Sequence, residues 1–396
     1  MKFILHLGPV VPADSDEERR ALRPIAHRTD RIQAMLGEMV ELAQLAEATG
    51  FEMVTFSEHH FFSDGFIAGS SPTPHVLNLA ANTTKIKIGP LGYVLPTWDP
   101  IRLAEEIAWC DQITRGRSIA GFARGVFPHW VNTLAQRYKV QPASWAKTLP
   151  NAVGSQIDIH NQEVSQEIFR IMKLSWKDEA FSHDGIHYKV PSPPEGIEWP
   201  AADAARQYGA PDEIDEGGWL KKVSPIPKPF TKPHPLLLQA MTLTEETIGW
   251  GAREGIVPMI FLPFPDHAIA GARHYQQEAR KVGRDLVLGE SVGLARIVAI
   301  GKNKESALDV ARRGIMGLLA LYHSRFYPNI PTSVEPMVDA GVLFAGTLDD
   351  IRVQFSRVQD QLNPEYFLVF CDQGLLPISE VKNQVSELGK LIPEFS

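Results

Sequence analysis

Short apolar runs alternate with amphipathic stretches along most of the chain, the pattern expected of parallel strands joined by helical crossovers. Phe3–Leu7 is apolar except for His6 and predicts a buried first strand. Ile32–Thr49 puts Ile32, Met35, Leu36, Met39, Val40, Leu42, Ala43 and Ala46 at helical spacing, and Gly50 follows as a natural stop. Met53–Ser57 predicts a second strand, Val76–Ala81 a short helix, and Ile86–Leu95 a third strand. Pro100 stands where a first-turn proline belongs, ahead of an amphipathic helix over Ile101–Ile113. Ser118–Ala123 predicts the fourth strand. Later strands are expected over Leu236–Ala240, Val257–Phe261, Ser291–Ile300 and Tyr366–Phe370. The helices between and after them are expected over Thr242–Glu254, Asp266–Val282, Lys304–Tyr322 and Ile378–Ile392.

Eight strands with helical crossovers suit an α/β protein, a (β/α)8 TIM barrel forming one domain over residues 1–396. A doubly wound sheet with a cap domain is the alternative, because strand number alone does not establish closure. Two segments, 128–165 and 191–235, break the alternation and read as insertion loops at the C-terminal mouth. The second is rich in Pro and Gly, and loops of such length suit either a lid or a solvated excursion.

Composition narrows the class further. The 396 residues are 44% hydrophobic and 22% charged, an ordinary globular balance, and the formal net charge of -8 argues against a nucleic-acid groove. Two cysteines, Cys110 and Cys371, are too few for a disulfide scaffold or a zinc ribbon. The apolar run after Lys2 is too short for a signal peptide, and no later run is long enough to span a membrane. A cytoplasmic protein without a membrane partner is the expectation.

Three groups of residues at strand ends could carry chemistry. Ser57-Glu58-His59-His60-Phe61 follows the second strand, and the carboxyl ends of barrel strands converge on one mouth. A carboxylate beside two imidazoles suits a general base with a supporting partner, or a satisfied polar cluster closing the mouth. Metal ligation by His59 and His60 is a third possibility, but adjacent histidines on a strand face opposite ways, and no later set completes a site. Gly121-Phe122-Ala123-Arg124-Gly125 ends the fourth strand. Glycines there admit a close ligand backbone, and Arg124 offers a guanidinium either to phosphate or to a helix carboxylate. Gln239-Ala240-Met241-Thr242-Leu243-Thr244 turns from strand to helix, where hydroxyls and free N–H groups either receive an anion or cap the helix. Two phosphate-suited features at the mouth favour a phosphorylated cofactor.

These motifs together resemble the bacterial luciferase-like family of flavin-dependent monooxygenases. The likeness begins at Gly50-Phe51 and Glu58-His59-His60-Phe61, with Gly65 following. It is densest through Ile86-Lys87-Ile88-Gly89, Val94-Leu95-Pro96-Thr97, Asp99-Pro100, Arg102, Glu105 and Glu106. It continues through Asp111-Gln112, Gly116-Arg117, Gly121 and Arg124-Gly125, and more thinly through His187-Tyr188, Lys232–Pro235, Thr242, Thr244, Gly255, Pro258 and Gly346-Thr347. The resemblance implies a TIM barrel that takes reduced FMN (FMNH2) from a separate NAD(P)H-dependent flavin reductase. It implies reaction with dioxygen, via a peroxyflavin, to oxygenate a small or medium apolar substrate. By the same likeness His59 is the catalytic histidine, with Glu58 and His60 holding its orientation. Arg124, Thr242 and Thr244 match phosphate ligands, while Leu95, Thr97 and Met241 line the cofactor. The family commonly forms oligomers, so a homodimer or homotetramer is expected.

Departures from the luciferase pattern bear on aldehyde specificity and light emission rather than on flavin binding. Ala123 stands where luciferase has a cysteine, Trp130 where it has an acidic residue, and Met241 where it has a glutamate. The competing readings are a non-catalytic flavin-binding subunit, a deazaflavin-dependent hydride-transfer enzyme, and a metal-dependent barrel hydrolase using His59 and His60.

Overall fold

A computed structural model describes residues 1–144, 146–316, 331–372 and 375–396. The chain divides into two compact units. The first comprises Met1–Tyr93, Ile119–Phe122 and Leu236–Ser396, and the second Val94–Ser118 and Ala123–Pro235.

The core of the first unit is a sheet of parallel strands. Its path runs Lys87–Pro90, Met53–Phe56, Lys2–His6, Tyr366–Phe370, Gly293–Ile300, Val257–Ile260, Leu236–Thr242, Ile119–Ala123 and Tyr93–Val94. The two ends of that path are two pieces of the same third strand, interrupted at Leu91-Gly92, so the sheet curls round into a nearly closed barrel. The doubly wound alternative is thereby excluded. Every residue of Met53–Phe56, Val257–Ile260, Gly293–Ile300 and Tyr366–Phe370 is buried, because such strands are covered on both faces. That double burial explains why they read as unbroken apolar runs.

The barrel is tightest where the third and fourth strands meet. A Cβ built on Gly89 would strike the carbonyl of Ile119, one on Gly92 the backbone of Gly121, and one on Gly121 the carbonyl of Pro90. Backbone lies against backbone there, and only glycine allows it. Elsewhere the interior is filled by Ile4, Met53, Leu238, Met259, Ala295 and Leu368.

Helices Thr29–Ala48, Glu245–Glu254, Asp266–Lys281, Leu348–Gln361 and Ile378–Phe395 cover the barrel strands. Gly50 takes a φ of 92° just past the first of these, the left-handed stop its position predicts. Leu348–Gln361 starts with a reciprocal cap in which Thr347 and Asp350 each bond the other's backbone N–H. Arg296, wholly buried in the seventh barrel strand, donates to the carbonyls of Ala295 (2.6 Å) and Leu262 (3.0 Å), and burial lowers its pKa to about 9.

Several expectations need correction. The third strand is not continuous over Ile86–Leu95, since Leu95–Thr97 forms a 3-10 turn. The helix expected from Thr242 begins at Glu245, because the fifth barrel strand runs on through Thr242. The helix expected over Lys304–Tyr322 is α-helical over Lys304–Ala311 and then widens into π turns over Arg312–Met316, while 317–322 lie outside the described residues. Helices Gln156–Trp176 and Leu348–Gln361 and strand Leu343–Gly346 were not foreseen. That strand pairs with Ile297–Ile300 after the seventh barrel strand has parted from its neighbours.

The second unit is built on two helices, Pro100–Thr114 and Gln156–Trp176, tied by a Trp176 Nε1–H bond to the Ala104 carbonyl at 3.0 Å. Asp99 caps the first helix, accepting from Ile101 and Arg102 N–H groups at 3.1 Å each. Asp111 is fully buried and accepts from the Thr231 N–H (2.7 Å) and the Ser118 hydroxyl (3.4 Å), so this carboxylate of the family-like stretch fastens the segment 191–235. That segment carries a small antiparallel pair, Ile197–Glu198 with Trp219–Leu220, and between them helix Asp203–Tyr208. The segment 128–165 contributes helix Pro128–Leu134 and the start of Gln156–Trp176.

Candidate active site

In the first unit the strand Met53–Phe56 ends into Ser57 and Glu58, and the chain then turns sharply at Phe61, whose φ is 67°. The return leg packs closely: a Cβ on Gly69 would meet the Ser57 carbonyl, and the His59 N–H donates to the Gly69 carbonyl at 2.9 Å. These constraints present three polar side chains in a row. Glu58 is buried with no exposed side-chain surface, and its Oε1 lies 3.0 Å from His60 Nε2. Burying a carboxylate without a donor is costly, so this bond holds both groups in place. His59 is half-buried, its ring edge-on to Phe62 at 5.8 Å between centroids.

A further imidazole stands at the end of the neighbouring first strand. His6 Nδ1 lies 3.0 Å from the Thr55 hydroxyl and Nε2 3.1 Å from the Ser57 hydroxyl, and its ring packs 4.8 Å from Phe370. Burial lowers its pKa to about 3, so it is neutral at physiological pH and acts as a hydrogen-bond hub rather than a cation. The sequence carried a signal for it: His6 is the one polar residue in the apolar run Phe3–Leu7. Beside it opens a small cleft lined by His6, Met35, Glu38, Met39, Cys371 and Asp372.

The residues expected to meet a phosphate from the fifth strand have local roles as well. The Thr242 hydroxyl is buried and reaches the Gln239 carbonyl at 3.4 Å. Thr244 caps helix Glu245–Glu254, accepting from the Thr247 N–H at 3.3 Å, with Glu245 and Glu246 in the first turn. Met241 directly precedes Thr242 on the strand.

In the second unit Arg124 follows the fourth strand, and Gly125 beside it has a φ of 87°. Its Nη1 donates to Asp158 Oδ1 at 3.2 Å; the arginine side chain is 29% exposed and the aspartate side chain 2%. Asp158 sits in the first turn of Gln156–Trp176 and also accepts from the Gly154 N–H at 2.9 Å. The helix-carboxylate reading of Arg124 is therefore realised, and the arginine side chain stays partly exposed beside it. Leu95 is buried in the 3-10 turn, and the Thr97 hydroxyl donates to the Val94 carbonyl at 2.8 Å. Trp130 is fully buried.

Comparison with known proteins adds a second line of support. The profile of a family described as luciferase-like monooxygenase matches residues 21–340. The 3,6-diketocamphane 1,6-monooxygenase of Pseudomonas putida is 28% identical over 158 residues, covering 39% of each chain. The oxygenase component of the flavin-dependent trigonelline monooxygenase of Acinetobacter baylyi is 37% identical over 90 residues, covering 23% of this chain and 24% of that protein. The matches thus span less than half the length of these curated relatives.

Among solved structures, the oxygenating constituent of the Pseudomonas putida diketocamphane monooxygenase, a type II Baeyer–Villiger enzyme in complex with FMN, matches with a TM-score of 0.70. Sequence identity is 16%, over 98% of this chain and 97% of that one. An F420-dependent secondary alcohol dehydrogenase matches with a TM-score of 0.62 at 13% identity, over 100% of both chains. At such identities the likeness is one of fold.

Proposed function

The chain belongs to the luciferase-like monooxygenase family, and from that premise we propose that it is the oxygenating component of a two-component system using reduced FMN and dioxygen on a small or medium apolar substrate. The observation that carries the reading is the ordered row Glu58-His59-His60 at the carboxyl end of a barrel strand, with its carboxylate buried and bonded. Reduced FMN, when bound, supplies the two electrons that let one oxygen atom enter the substrate while the other leaves as water.

The residues present fit such a cofactor. Arg124 offers a partly exposed permanent charge of the kind that pairs with phosphate. The Thr244 cap marks a helix start whose N–H groups suit an anion, although Glu245 and Glu246 oppose a dianion there. Leu95, Thr97, Met241 and Thr242 are proposed as cofactor neighbours by their match to the family pattern. His59 takes a proton as oxygen is activated and returns it to the departing oxygen, work suited to an imidazole near neutral pH. Glu58 is a positioning residue, accepting from His60 and so stiffening the loop that carries His59. A separate NAD(P)H-dependent reductase supplies the reduced flavin, and the chain works as a homodimer or homotetramer.

The test is anaerobic titration with reduced FMN, followed by mixing with air-saturated buffer. Saturable binding, slower flavin reoxidation than in free solution and little released hydrogen peroxide are expected. Binding of a reduced deazaflavin in place of reduced FMN would instead assign hydride transfer.

A further inference from the structure

We propose that the second unit carries a divalent transition-metal site, of zinc type, formed by His160, Glu163 and His187. One donor atom from each of the three lies within 4.8 Å of the donors of the other two. His160 and Glu163 are three apart on helix Gln156–Trp176 and share one face of it. His187 comes from the turn of the hairpin His183–Asp184 with Lys189–Val190, which lies over that helix. The rings of His160 and His187 stand at 78° with centroids 5.1 Å apart, an arrangement that lets two imidazoles address one point without stacking.

Hydrogen bonding prepares these groups as ligands. His160 Nε2 is 2.7 Å from the Tyr138 carbonyl, which can only accept, so Nε2 carries the proton and the lone pair lies on Nδ1. A ring N–H given to a backbone carbonyl is the usual second contact of a metal-bound histidine. His187 Nε2 is sealed from solvent and meets no hydrogen-bond partner among the described residues, and a polar atom so placed is destabilising unless something bonds it. A cation between the rings supplies that bond.

The hairpin is itself held in position. Glu167, one turn beyond Glu163, accepts from the His187 N–H (3.1 Å), the Tyr188 N–H (2.9 Å) and the His183 ring (3.2 Å). A Cβ at Gly185 would collide with that carboxylate, so a side chain there would have to push Glu167 aside. Tetrahedral zinc with bonds of about 2.1 Å needs donors about 3.4 Å apart. Glu163 is exposed and unbranched, so its carboxylate is free to turn toward the two histidines. Three protein ligands leave one coordination position for water or an exogenous anion. The inference is independent of flavin binding, because none of its residues is assigned to the cofactor.

The experiment uses the full chain, stripped with chelator and dialysed, and titrated with zinc chloride by calorimetry. Cobalt chloride, followed by absorbance, reports coordination geometry. One equivalent per chain and the strong visible bands of tetrahedral cobalt are expected. His187→Gln should weaken binding by more than the roughly 10- to 100-fold that outer partners of a metal site carry. Glu163→Gln, at an exposed position that cannot unfold the chain, should weaken it at least tenfold. His60→Gln should leave it unchanged. No saturable binding at one equivalent, equal affinity in Glu163→Gln, or loss of binding in His60→Gln would each overturn the proposal.

Discussion

Two clusters of histidine and carboxylate are built from the same residue types and lead to different chemistry. In the first unit Glu58 has no exposed surface, and its carboxylate is already taken by His60 at 3.0 Å. What remains is an oriented imidazole, His59, suited to moving a proton. In the second unit Glu163 is exposed, and donors from His160 and His187 converge with it inside 4.8 Å. Lone pairs that converge and are not consumed suit a cation instead. The difference lies in whether the carboxylate has spent its bonding capacity, not in which residues are present.

The largest expected effect breaks the comparison from the proton side. His59→Ala should lower turnover with reduced FMN by about 10²- to 10⁴-fold, the span carried by general acid–base groups, while zinc binding is retained. Steady-state oxygenation assays check this; unchanged turnover would remove His59 from the mechanism. Next, Glu167→Gln should reduce zinc affinity by about 10- to 100-fold through loss of the hairpin's anchor, with partial recovery in Glu167→Asp. Calorimetry decides, and wild-type affinity would mean the hairpin is held some other way.

Acid stability sharpens the contrast further. His6 has a folded pKa of about 3 against an ordinary value of 6.5. The unfolded chain therefore binds its proton first as pH falls. The stability due to neutral His6 is complete above 6.5 and is lost progressively from there down towards 3. At about pH 5 the loss relative to neutral pH is about 2 kcal/mol. Urea unfolding across this range should show a shallower acid limb for His6→Asn than for the wild type. The smallest effect is at Thr244. Replacement by alanine should cost about 1 kcal/mol through the lost helix cap, read as a small drop in melting temperature.

The barrel was legible because its strands are covered on both faces. Tyr366–Phe370 is a run of five buried residues, and its bounds are those the apolar pattern predicts. Gln156–Trp176 escaped notice for the opposite reason. Its buried side includes Asp158, Asn161 and Glu167, which serve the ion pair, loop and hairpin packed on it, and Ser165 and Ser175, which bond back to carbonyls of their own helix; all five blur the helical apolar stripe. The metal cluster was hidden with it, since His160 and Glu163 gain meaning only once a helix aligns them and His187 is folded over from a distant turn. At the mouth, Glu58-His59-His60 stood out because three polar residues directly follow an apolar strand. The pairing of His6 with Thr55 did not, because it joins two strands far apart in sequence.

The meeting of Gly89, Gly92 and Gly121 has a consequence for how this chain can vary. Bulky positions in the interior have neighbours that can shrink to compensate a change, whereas a joint without side chains has nothing to trade. In a saturation mutagenesis library, these three of the smallest residues should rank among the least replaceable positions, with even alanine depleted. Pairs of substitutions elsewhere in the barrel would rescue none of them.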